Sequence, residues 1–154
     1  MQIKDIMTGP VVTVDLDVNL DEAARIMLSH RIGCVVVVDA NGKACGILTE
    51  RDFTAQDAGN PFDPYRAPSL FGKNVRRHGL AAIYEEARAI PARKAMRSIL
   101  YCLAEDDAVE RAMDLMVRHE INHLPVLHGW KPVGMVSRHD LLRLVFQTPQ
   151  TVTA

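Results

Sequence analysis

Two stretches of the chain read almost alike: Gly46-Ile47-Leu48-Thr49-Glu50-Arg51-Asp52 and Gly134-Met135-Val136-Ser137-Arg138-His139-Asp140. Each is a glycine, two apolar residues, a hydroxyl residue and, three places later, an aspartate. Apolar positions coincide by chance in any two strands, whereas Gly, Ser/Thr and Asp in one register twice are a mark of internal repetition. Working outward, residues 3–52 overlay residues 92–140 with an offset of 89, which becomes 88 after a one-residue deletion in the turn before the glycine. Ile6-Met7 falls on Ala95-Met96, Leu20 on Val109, Ala23 on Ala112, Ile26 on Leu115, Met27 on Met116, His30 on His119 and Ile32 on Ile121. Val35-Val36-Val37-Val38 falls on Leu124-Pro125-Val126-Leu127.

Each half reads as strand, helix, strand, strand, helix. In the first, Val11 to Val14 is a β-branched strand. Leu20 to His30 sets Leu20, Ala23, Ala24, Met27 and Leu28 at helical spacing, with Asp21 and Glu22 in the first turn, where acids suit the helix dipole. Gly33 is expected to end that helix. Cys34 to Val38 is an unbroken apolar run, the pattern of a strand covered on both faces. Asn41-Gly42 marks a hairpin turn, Ala44 to Leu48 the next strand, and Thr49 the N-cap of a second helix. The second half predicts a strand over Ile99 to Cys102, a helix over Ala108 to His119, strands over His123 to Leu127 and Val133 to Val136, and a helix after Ser137. Neither half alone covers its sheet, so the two together make one core of sensible size.

From about Phe53 to Pro91 the chain has no counterpart. It opens with turn formers, Gly59-Asn60-Pro61-Phe62-Asp63-Pro64, and closes with an amphipathic helix over Gly79 to Ile90, where Leu80, Ile83, Tyr84, Ala87 and Ile90 form the apolar stripe. Between them lie Lys73, Arg76, Arg77 and His78, a solvated face unless a phosphate or partner meets it. The division expected is a first repeat over 1–58, an insertion over 59–91 and a second repeat over 92–154.

Composition narrows the function classes. At 154 residues, 48% hydrophobic and 24% charged, the chain is globular rather than disordered. A net charge of −1 gives no global surface for a polyanion or an anionic membrane, and 5% aromatics leave little for stacking single-stranded nucleic acid. No apolar run approaches the roughly 18 residues of a membrane span, and Met1-Gln2-Ile3-Lys4-Asp5 does not begin a secretory signal. Cys34, Cys45 and Cys102 are an odd count without Cys-x-x-Cys, which fits reduced thiols and a cytoplasmic location.

The repeat resembles a tandem pair of CBS domains, a Bateman module. The residues carrying the likeness are Ile6-Met7-Thr8, Gly33 to Asp39 and Gly46 to Asp52 in the first copy, and Asn122 to Val126 and Gly134 to Asp140 in the second. It covers about two thirds of the chain and leaves out the insertion. The resemblance implies an α/β (α+β) fold of two β-α-β-β-α motifs packed with pseudo-two-fold symmetry, the inserted loop-helix segment lying outside them. It also implies clefts between the copies that take AMP, ADP, ATP or S-adenosylmethionine, a regulatory, energy-sensing role toward a protein partner, and a homodimer.

The residues make a physical case for such a ligand. A carboxylate accepts hydrogen bonds from both hydroxyls of a ribose diol, which assigns Asp52 and Asp140 to ribose. Thr49 and Ser137, where a strand hands over to a helix, stand beside free amides that favour phosphate. Arg51, Arg138 and His139 add positive charge, and adenine is expected among the strand residues Thr13, Val14, Tyr101 and Cys102. Against this stands self-capping: a hydroxyl residue followed three places later by an acid also closes its own helix, for about 1 kcal/mol.

His119-Glu120-Ile121-Asn122-His123 matches a zinc-protease pattern, which needs both histidines on one helix. The repeat puts His119 at a helix end and His123 at a strand start, and Pro125 follows at once, so no metal is assigned. With no nucleophile elbow, Walker loop or dinucleotide fingerprint, the reading is not an enzyme but a regulatory adenine-nucleotide module. The alternatives are a structural or protein-interaction module with empty clefts, and a nucleic-acid binder using the basic insertion with Arg88, Arg93 and Lys94.

Overall fold

Five consecutive apolar residues, Cys34–Val38, form a strand with every residue buried, as a β-branched run covered on both faces requires. The computed structural model describes residues 1–53, 69–70, 73–74, 81–82, 85 and 88–147. Its elements are strands β1 (Thr13–Asp15), β2 (Cys34–Val38), β3 (Ala44–Thr49), β4 (Ser69–Leu70), β5 (Lys73–Asn74), β6 (Arg97–Ser98), β7 (His123–His128) and β8 (Lys131–Ser137). The helices are α1 (Leu20–His30), α2 (Glu50–Phe53), α3 (Ala92–Ala95), α4 (Val109–Arg118) and α5 (Arg138–Gln147), with a 3-10 turn at Ile3–Asp5. The insertion's stripe of Leu80, Ile83, Tyr84 and Ala87, and the cluster of Arg76, Arg77 and His78, fall outside the described residues.

The chain divides into two compact units. One gathers residues 12–41 and 45–98, the other residues 1–11, 42–44 and 99–154. In the first unit the strand order is β1-β2-β3-β6, with β1 parallel to β2 and β6 antiparallel to β3. Its core is Val14, Leu20, Ala23, Met27, Val35, Val37, Leu48, Phe53 and Ala92. In the second, β7 and β8 form an antiparallel pair, and the core is Ile3, Leu103, Val109, Ala112, Met116, Leu124, Val126 and Val136. Every one of those eight residues occupies the repeat-equivalent place of a residue in the first core: Ile3 of Ala92, Leu103 of Val14, Val109 of Leu20, and so on to Val136 of Leu48.

The equivalence extends to the backbone of the segments that lead into each repeat. The Ile3 amide donates to the Asp107 carbonyl at 2.9 Å and the Lys4 amide to that of Glu105 at 2.9 Å; the matching bonds run from Ala92 to Val18 at 2.7 Å and from Arg93 to Leu16 at 3.0 Å. The opening residues of the first repeat thus close the core of the second, and the opening residues of the second close the core of the first.

Two local expectations are corrected. The helix α1 ends on Arg31, not Gly33. Arg31 takes a left-handed conformation (φ 54°) and the Ile32 amide reaches back to the Met27 carbonyl at 3.0 Å. Glu120, at the same place after α4, has φ 52°. The strand expected over Ile99–Cys102 does not form; pairing is confined to Leu103, whose amide donates to the Pro125 carbonyl at 3.0 Å and whose carbonyl accepts from Leu127 at 2.9 Å. Arg97–Ser98, just before it in sequence, pairs instead with β3 in the sheet of the first unit, as β6.

Gly46 and Gly134 are explained by close approach. A Cβ on Gly46 would collide with the Met96 thioether, 2.8 Å from its Cγ, and would lie 2.9 Å from the Arg97 carbonyl oxygen. A Cβ on Gly134 would meet the Met7 thioether, but the nearest backbone atom, the Thr8 carbonyl oxygen, is 3.3 Å away. Flexible methionine gives way more cheaply than backbone. Gly46→Ala is therefore expected to lower the midpoint of urea unfolding by the equivalent of about 1–3 kcal/mol, and Gly134→Ala by less. Leu124→Ala, at a fully buried site, is expected to cost about 2–5 kcal/mol in the same measurement.

Candidate functional site

In the unit that holds the second repeat, β8 ends at Ser137 and the ten-residue α5 begins at Arg138. The Ser137 amide and hydroxyl both donate to Asp140 Oδ2, at 2.8 and 2.7 Å, and the Asp140 amide returns to Ser137 Oγ at 3.3 Å. This is a reciprocal capping box, so the self-capping reading is satisfied here. It uses one carboxylate oxygen. Asp140 is 8% exposed, and its Oδ1 accepts no hydrogen bond from the described residues. No fully buried polar side-chain atom among the described residues lacks a partner, so Oδ1 opens to the surface. A carboxylate that is largely buried, with one oxygen capped and the other facing outward at the first turn of a helix, is a ready acceptor for hydroxyl donors.

The neighbouring residues divide. The Arg138 guanidinium donates to the carbonyls of Met116 (3.1 Å) and Ile121 (3.3 Å), which holds it on the C-terminal end of α4. His139 is exposed. Tyr101 is half-buried and stacks on His119, with ring centroids 3.9 Å apart and planes 18° from parallel. Cys102 is a half-buried free thiol. His119 caps α4 and His123 begins β7, with left-handed Glu120 between them, so the two histidines do not share a helix. Among the described residues no three His, Cys, Asp or Glu side chains gather as metal ligands.

In the unit that holds the first repeat, Thr49 closes β3 and its amide and hydroxyl donate to Asp52 Oδ2 at 2.7 and 3.0 Å. Here a third group enters. Arg97 Nε lies 2.9 Å from Asp52 Oδ1, and its Nη2 donates to Thr49 Oγ1 at 2.8 Å. Both oxygens of Asp52 are therefore engaged. Arg51 is exposed, Thr13 is exposed on β1, and Val14 is buried in the core. Sequence reasoning brought Thr49 to Asp52 and Ser137 to Asp140; it missed Arg97. The signal was present as a break in the repeat, because Thr8 stands where the second copy has Arg97. Two cations counted with the basic insertion are ion-paired: Arg88 with Glu85 (3.2 Å), and Arg93 with Asp17.

Comparison with known proteins identifies the repeat. The family model of the CBS domain matches residues 3–58 and 89–147. A CBS domain-containing protein of Dictyostelium discoideum is 30% identical over 152 residues, covering 97% of this chain and 94% of its own. An uncharacterized protein of Methanocaldococcus jannaschii is 27% identical over 144 residues, which are 94% of this chain and 32% of that one. Among solved structures, the CBS domain of a CBS domain-containing membrane protein from Sphaerobacter thermophilus superposes with a TM-score of 0.72 and 37% identity, over 94% of this chain and 87% of that one. The CBS domain pair of protein MJ0100, in complex with 5′-methylthioadenosine and S-adenosyl-L-methionine, shares the fold with a TM-score of 0.69 at 23% identity, over 95% and 96% of the two chains. No helix among the described residues is long and apolar enough to cross a membrane.

The Asp52 network also acts on Cys34. Burial first, and then the negative charge of Asp52, push its thiol up to about 12, with Arg97 pulling the other way. A thiol at that value stays protonated in mildly alkaline solution, and the thiolate is the reactive form. Cys34 is therefore expected to resist iodoacetamide in the folded chain at mildly alkaline pH and to react once the chain is unfolded in urea. Peptide mapping reads the difference, and equal labelling in both states contradicts it.

Proposed function

The chain belongs to the CBS-domain family, with its two copies in tandem, and on that premise we propose that it is a regulatory module binding an adenosine-containing small molecule at its Ser/Thr-x-x-Asp sites. The observation that carries the reading is Asp140: nine-tenths buried, capped through one oxygen and open at the other. A ribose diol supplies the donors that Oδ1 lacks, and the amides at the start of α5 favour a phosphate beyond it. Adenine then lies against the strand-side residues, Tyr101 and Cys102 in one unit and Thr13 in the other, the Val14 side chain being taken up by the core. The MJ0100 pair holds two adenosyl ligands, which supports the chemical class. The members we would test are AMP, ADP, ATP and S-adenosylmethionine.

Binding regulates a separate cytoplasmic protein or the chain's own homodimer, and the ligand acts by its different affinity for two arrangements of the module. The rival reading is a structural module whose Asp residues only cap helices. A thermal-shift panel decides between them. A ligand at about a hundred times its dissociation constant stabilises by roughly 2.7 kcal/mol, which is several degrees for a chain of this size. Asp140→Asn is expected to weaken calorimetric affinity by about tenfold or more while the circular dichroism spectrum stays that of the folded chain. Flat melting curves with every ligand at millimolar concentration return Asp52 and Asp140 to capping alone.

A further inference from the structure

Asp52 and Asp140 occupy equivalent places in the repeat and differ in one neighbour. At Asp140 the Oδ1 oxygen is open, and the residue equivalent to Arg97 is Thr8, which cannot supply a charge. At Asp52 that oxygen holds the Arg97 guanidinium at 2.9 Å, and the same side chain also donates to the Thr49 hydroxyl. The pair is half in water, with the Arg97 side chain 54% exposed and that of Asp52 11% exposed, so the cation can swing while the carboxylate stays put.

We propose that Arg97 makes the Asp52 site selective for phosphorylated adenosines, while the Asp140 site takes the adenosine ribose without that requirement. The proposal rests on the ribose-binding reading above. A diol reaching Asp52 must share or displace a charge-assisted bond from Arg97. A neutral adenosine offers that guanidinium nothing in exchange. A phosphate on the same molecule offers two anionic oxygens to the planar guanidinium fork, so Arg97 passes from the carboxylate to the ligand. Thr49 gains as well: its hydroxyl oxygen, now accepting from Arg97 Nη2, is freed to face the ligand. The two sites of one chain thus weigh the same class of molecule differently: binding at Asp52 depends on the phosphate and binding at Asp140 does not.

The test is calorimetry on the full chain with AMP and adenosine as probes. In an Asp140→Asn background, where the Asp52 site is the one left, AMP is expected to bind at least about tenfold more tightly than adenosine. Adding Arg97→Thr, which installs the residue found at the equivalent place, is expected to collapse that ratio by weakening AMP and strengthening adenosine. Arg97→Lys keeps the charge without the bidentate fork and is expected to keep a reduced preference for AMP, which guards against a threonine variant that folds poorly. An AMP-to-adenosine ratio that Arg97→Thr leaves unchanged overturns the role of Arg97 and leaves the ribose reading standing. Absence of binding by either probe to the wild-type chain overturns both.

Discussion

At Gly46 there is no room for a methyl group: the Met96 side chain and the Arg97 carbonyl oxygen already fill the space. That bare backbone lets β6 lie against β3, with Ile47 opposite Arg97, and so carries the guanidinium to within 2.9 Å of Asp52. The same contact recurs at Gly134, where Met7 takes the place of Met96 and Thr8 pairs with Met135. One steric requirement, met twice, puts residue 97 in one unit and residue 8 in the other beside equivalent positions of the last strand. What those residues are then decides the chemistry. The fold supplies the address and the sequence supplies the occupant, which is how two copies of one scaffold come to differ at their carboxylates.

The repeat made most of this architecture legible. Leu20–His30 and Cys34–Val38 lie where spacing and β-branching put them, and the buried residues of one core lie at the repeat-equivalent positions of the other. What failed was local. Gly33 looked like the end of α1, yet the chain turns two residues earlier on Arg31, because the amides of Arg31 and Ile32 find the Met27 carbonyl there and tolerate a strained φ. Ile99–Cys102 looked like a strand because Leu103 is one residue further on; a single buried leucine pairing with its neighbours satisfies the core without extending the ladder. In both cases tertiary contacts overrode a residue preference that was correct on average.

At the site, a pattern of hydroxyl and acid could be read two ways, as a cap or as a ligand holder. The geometry shows why one motif carries both readings: a carboxylate has two oxygens, and Ser137 needs only one of them. Arg97 could not be read from any motif, since an arginine at the start of a two-residue strand is ordinary. Its meaning lay in departing from Thr8, and a repeat is informative both where its copies agree and where they part. Arg138 shows the reverse. It stands inside the motif, yet its guanidinium closes the end of α4 instead.

The exchange of leading segments gives the two cores different histories as the chain leaves the ribosome. Every residue of the first core lies between Val14 and Ala92, a continuous span. The second core needs Ile3 together with residues from Leu103 to Val136, and the Gln2 side chain meets the Asp106 carbonyl across 104 residues of sequence. Loop closure of that length is entropically slow and contributes little until the distant partner exists. During synthesis Ile3 is therefore made well before the residues from Leu103 onward that complete its core, while the residues from Val14 to Ala92 hold all of theirs.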